Sequence, residues 1–175
     1  MATPAELTKV GDQGKREFEA GRYEAAAAAF RTAAQGFSEL GDRVNAAEQK
    51  NNLSVTLLKL GRPQEALDEA AGSDELFAAA GDIRRQGMAL NNQAAALQDL
   101  KRLDEALAAF ERAAELLGQA GEGELRAYVL KAAAAIQLRR GNITESGLKM
   151  LGALGSSLKP TWLQRALASV VRRLR

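Results

Sequence analysis

The chain contains no cysteine and no histidine. Disulfides, thiol nucleophiles and imidazole bases are therefore excluded, along with the usual ligands of zinc, copper and haem. Aromatic residues make up only 5% of the sequence and prolines number three. Long helices can run unbroken in such a chain, and a core of Ala and Leu with few rings suits close helix–helix packing better than a sheet sandwich. No apolar run approaches a membrane span. The opening segment MATPAELTKV lacks the apolar core of a signal peptide. The expected location is cytoplasmic.

Acids are missing from one stretch. Residues 156–175 carry Lys159, Arg165, Arg172, Arg173 and Arg175 and no Asp or Glu. Taking those five charges from the net +2 leaves −3 on residues 1–155. The basic balance belongs to the tail, and no nucleic-acid partner is expected of the body.

What is present is a repeat. Gly41-Asp42, Gly81-Asp82 and Gly121-Glu122 stand forty residues apart, as do Gly21-Arg22, Gly61-Arg62, Lys101-Arg102 and Gly141-Asn142. The two series interleave, giving a stop signal every twenty residues. Between stops the apolar pattern is helical: Leu53, Leu57, Leu58 and Leu60 in one unit, Leu97, Leu100, Leu103 and Leu107 across the next. Glycine suits a left-handed helix C-terminus. Asp42 and Asp82 suit the N-cap or first turn that follows, Pro63 suits a helix start, and Thr3 with Glu6 around Pro4 makes a capping box. The spacing predicts nine helices over about residues 3–20, 22–39, 42–60, 63–80, 82–100, 103–120, 122–140, 143–155 and 160–174. The joins are short enough to make neighbours antiparallel.

The units resemble tetratricopeptide repeats in a forty-residue variant. Gly14, Ser54, Ala94 and Ala134 fill the small position of the first helix, and Ala26, Ala66 and Ala106, with Ser146, fill the alanine position of the second. Phe30, Phe110 and Met150 supply the bulky residue that follows, where Ala70 departs. Ala33, Ser73, Ala113 and Ala153 supply the next small one. The first unit departs with Gln13 and Glu17 at places that are usually apolar. The resemblance implies an all-α, right-handed superhelical solenoid. Four antiparallel hairpins (about 3–40, 41–80, 81–120 and 121–158) would form an array over 1–158, with residues 159–175 as a basic amphipathic capping helix. Leu163, Ala166, Leu167, Val170 and Leu174 share one face of that last segment. Covering the array's end, a membrane surface and a second copy of the chain are its three candidate roles.

The resemblance also implies a function: a non-catalytic module that holds a protein or peptide segment in the concave groove lined by the first helix of each hairpin. Candidate groove residues are Asn51, Val55, Leu58, Met88, Asn91, Gln98, Tyr128, Lys131 and Leu138. An Asn amide can pair with extended backbone through donor and acceptor together, while Met, Leu and Tyr read side chains. Asn52 and Asn92 stand where the family often keeps asparagine for packing between repeats. For Asn51 and Asn91, groove binding and plain solvation both fit. The subtype that grips a C-terminal carboxylate is not reproduced, because Gly11 and Ala132 stand where its basic residues belong. The alternative function is a scaffold that self-assembles through its end faces or C-terminal helix. No cofactor or metal is expected: GDQGKRE lacks the spacing of a phosphate loop, and GEGELR lacks a third glycine and a preceding strand.

Overall fold

The computed structural model describes residues 2–139, all of whose regular structure is helical. The helices are α1 (Pro4–Glu19), α2 (Tyr23–Glu39), α3 (Arg43–Lys59), α4 (Pro63–Ala70), α5 (Ser73–Ala79), α6 (Ile83–Asp99), α7 (Leu103–Gln119) and α8 (Gly123–Arg139). The expected helices over 143–155 and 160–174 lie outside the described residues.

Each stop is a left-handed residue that closes one helix and releases the chain toward the next. Gly21, Gly41, Gly61, Gly81 and Gly121 have φ of 70–75°. The amide three residues past the helix bonds back to the last turn, as in Arg22 N to Glu17 O and Asp42 N to Phe37 O, both 2.9 Å. Lys101 takes the same conformation at φ 64° without being glycine. A left-handed L-residue costs about 1–2 kcal/mol, partly offset in a glycine variant by the greater freedom of its unfolded chain, roughly 0.5–1 kcal/mol. Lys101→Gly is therefore expected to raise the melting temperature by a few degrees in calorimetry. A lowered value would show that the Lys101 side chain contributes more than its backbone strain.

Helix starts carry the expected caps. Thr3 N donates to Glu6 Oε2 at 2.8 Å and Glu6 N to Thr3 Oγ1 at 3.3 Å. Asp42 accepts from Asn45 N at 3.1 Å and Asp82 from Arg85 N at 2.8 Å. The backbone bond from Arg85, then its guanidinium, holds the Asp82 carboxyl below its ordinary 3.8. The Thr3 backbone does the same for Glu6, and Arg62 and Arg102 for Glu65 and Glu105, all below 4.5. A depressed folded pKa gives stability that is complete above the unfolded value and is lost as pH falls through the folded one. With no histidine to titrate, the melting temperature should hold nearly flat from about pH 6 to 7 and decline below about pH 4.5. A decline that began near neutrality would refute this assignment.

The helices pair as hairpins, α1 with α2, α3 with α4 and α5, and α6 with α7. Each hairpin then packs its second helix on the first helix of the next, with α8 opening a fourth. Ala26, Ala66 and Ala106 are fully buried at the close approach. A Cβ on Gly14 would come within 2.7 Å of Phe30 Cε1, so glycine is what lets the phenylalanine seat there. Phe110, Leu117, Val129 and Ile136 build the corresponding core of α6, α7 and α8.

One expected helix differs. The chain over 63–80 does not run through: Ala71 turns extended at φ −57°, ψ 132°, and Gly72 is left-handed at φ 72°. This is the unit in which Ala70 replaces the bulky Phe30 and Phe110 of its neighbours. Without a large side chain to hold that turn, Gly72 and Ser73 break it. The break also frees the Ala70 carbonyl. Gln93 of α6 donates to it at 3.1 Å and to Asp74 Oδ1 at 2.7 Å through the same amide nitrogen. Where Gln93 stands, the unit before it has Leu53 and the unit after it Ala133.

Candidate functional site: the ridge of first helices

The candidate residues stand on α3, α6 and α8, and ion pairs tie α1, α3 and α6 together. Glu48 accepts from Arg85 Nη1 at 3.1 Å and lies 4.0 Å from Lys15 Nζ. Lys15 also meets Asp12, and Arg85 also meets Asp82. The charges thus alternate from α1 through α3 to α6. The Arg85 guanidinium lies 5.2 Å from the Phe77 ring centre, which holds its flat face against the hydrophobic core of the second hairpin.

The asparagines do not divide as expected. Asn51, read from the sequence as a groove or solvent residue, is buried, with 8% of its surface exposed. Its Oδ1 accepts from Asn92 Nδ2 at 2.9 Å, across the boundary between units. Asn92 Oδ1 accepts in turn from Asn91 Nδ2 at 3.3 Å. Asn51, Asn92 and Asn91 therefore form one amide chain from α3 to α6, so the packing role falls on the first asparagine of one pair and the second of the other. The cause is the stagger between successive first helices: residues that touch are 41 apart for Asn51 and Asn92, and 37 apart for Glu48 and Arg85. Equivalent positions forty apart do not face each other.

Asn52 has the opposite setting. It lines a cleft of about 180 Å³ between α1, α2 and α3, together with Lys15, Phe18, Phe30 and Val55. Its Nδ2 is buried and has no partner among the described residues. The Asn91 Oδ1 is likewise unpaired there. Of the other candidates, Leu58 packs against the core of the first two hairpins and Met88 against that of α6 to α8. Gln98 is half-buried. Tyr128, Lys131 and Leu138 stand exposed along α8, Tyr128 by 65%. The pattern missed Asn52 and Phe18 as partners in one cleft, because their meeting depends on how closely α1 and α3 approach. Gly14 was the signal that could have found it.

Chemically, this ridge offers amide donors and acceptors, cations at Lys15, Arg85 and Lys131, carboxylates at Glu19 and Glu48, and apolar walls. Among the described residues no cluster of carboxylates could hold a metal ion, and no helix is long and apolar enough to cross a membrane.

No protein-family model matches the sequence, and no curated protein is similar to it in sequence. Solved structures do match. A Podosopora anserina chain of the kinesin light chain type, with nearly identical TPR-like repeats, superposes with TM-score 0.75 at 14% identity over 91% of this chain and 80% of that one. A single-substitution variant of that same protein gives 0.75 at 14% over 91% and 79%. BtubC (BKLC) from P. vanneervenii gives 0.74 at 17% over 92% and 69%. At these identities the likeness establishes the fold: an all-α solenoid of paired helices of the TPR-like kind.

Proposed function

We propose that the ridge of first helices binds an extended segment of a protein partner without catalysis, in the cytoplasm. The observation that carries this reading is the cleft beside Asn52. An amide donor buried without a partner costs about 1–3 kcal/mol, and a backbone carbonyl entering the cleft would remove that cost. Phe18 and Val55 flank the amide and suit an apolar side chain on the same segment. From there the path runs past Met88, Asn91 and Gln98 to Tyr128, Lys131 and Leu138. Asn51 holds the path together from beneath.

The test is affinity capture with crosslinking from a lysate, comparing wild type with Asn52→Ala and Val55→Arg. Both variants should lose the same captured protein while melting within about 2 °C of wild type, since exposed and half-exposed changes rarely cost more. Equal capture by all three chains would overturn the proposal. Light scattering separates the self-assembling alternative: a mass independent of concentration supports a module that binds other chains.

A further inference from the structure

The break in the second hairpin opens a second cleft, of about 220 Å³, between the end of α2, the first half of α3 and the start of α5. Ser38, Arg43, Lys50 and Ser73 line it over a floor that includes Ala47 and Leu76. No carboxylate is among the lining residues. Of the acids nearby in sequence, Glu39 accepts from Gln35, Asp42 caps α3 through Asn45, and Asp74 takes Gln93, while Glu75 is exposed on α5 and does not line the cleft. Among the described residues neither Arg43 nor Lys50 forms an ion pair, although ten such pairs are made elsewhere.

The repeat supplies an internal comparison. Lys50 stands where the other units have Val10, Leu90 and Leu130, all aliphatic. Arg43 corresponds to Ile83 of the third unit, Ser38 to Ala78 and Ser73 to Ala113. At the matching place in that unit α6 packs close against α7: a Cβ on Gly87 would lie 2.9 Å from Leu117 Cγ and 3.3 Å from the Ala113 carbonyl. Among the described residues, these four polar side chains thus gather where the second hairpin, the one with a broken second helix, meets the end of α2. Lys50 and Arg43 are exposed, so both cations are open to a ligand from solvent, and two unpaired cations on one cleft suit an anion that can accept hydrogen bonds from both.

We propose that this cleft is an oxyanion site that takes the acidic or phosphorylated side chains of a protein segment. At 100° per residue, Lys50 points about 140–160° around α3 from Glu48 and Val55, so the site is separate from the ridge and does not depend on that reading.

Fluorescence anisotropy tests it with three labelled peptides of one length: Glu-rich, phosphoserine-containing and neutral Gln/Ser. At least one charged peptide should bind, more weakly as salt rises from about 50 to about 300 mM, and the neutral one should not. Which charged peptide binds better distinguishes a carboxylate from a phosphate source. Arg43→Ile with Lys50→Leu, the residues of the third unit, should weaken binding about tenfold or more without lowering the melting temperature. Arg43→Gln with Lys50→Gln serves as a second loss-of-charge pair should the apolar pair misfold. Lys9→Gln with Lys59→Gln removes the same charge elsewhere and should leave binding intact, as should Asn52→Ala. Equal binding by wild type and both cleft variants, equal loss in the Lys9/Lys59 control, or failure of both charged peptides to bind would overturn the site.

Discussion

Phe77→Ala is expected to destabilise the protein by about 3–5 kcal/mol, the usual range for emptying a buried aromatic site. For a chain of this size that lowers the melting temperature by roughly 10 °C or more. The expectation rests on geometry particular to the second hairpin. Phe77 is fully buried, yet it belongs to a helix of only seven residues. So short a helix has little stability of its own, and Phe77, packed with Ala47 and Ala89, is its main anchor between α3 and α6. The ring also faces the Arg85 guanidinium, whose bond to Glu48 ties α6 to α3. Hydrogen exchange should therefore show protection lost first over residues 71–80, ahead of α7. A loss spread evenly along the array would mean that α5 is held by its neighbours and not by this ring.

Asn51→Ala is expected to cost about 1–3 kcal/mol, because it leaves the Asn92 amide without its acceptor inside a unit boundary. Asn52→Ala should change stability far less, since its amide nitrogen has no partner to lose. Thermal melts of the two single variants decide the matter without any knowledge of the partner. If Asn52→Ala is the damaging change and Asn51→Ala the silent one, the amide chain from α3 to α6 does not hold the units together.

These two residues mark the limit of what the sequence could say. The stops at Gly21, Gly41, Gly61, Gly81 and Gly121 were legible because a left-handed residue is a local requirement that glycine meets at once. The caps at Thr3, Asp42 and Asp82 were legible for the same reason: each bonds an amide three residues away. The small residues at Gly14, Ala26, Ala66 and Ala106 were legible because every unit repeats one close approach, and repetition turns a tertiary contact into a sequence period.

What depends on the relation between one helix and another of a different unit had no such period. The stagger that sets Asn92 against Asn51, and not against its equivalent Asn52, comes from the crossing of α3 and α6, which the forty-residue spacing does not contain. The break at Ala71 and Gly72 had a visible cause in Gly72 and in the missing bulk at Ala70, but helical periodicity on both sides outweighed it. Only packing decided the outcome. Gln93 could satisfy the freed Ala70 carbonyl, Phe77 could anchor the short helix beyond it, and the space left between α2, α3 and the start of α5 became a cleft lined by Arg43 and Lys50. Local chemistry determined where each helix begins and ends; the contacts between units determined which side chains were left facing a space.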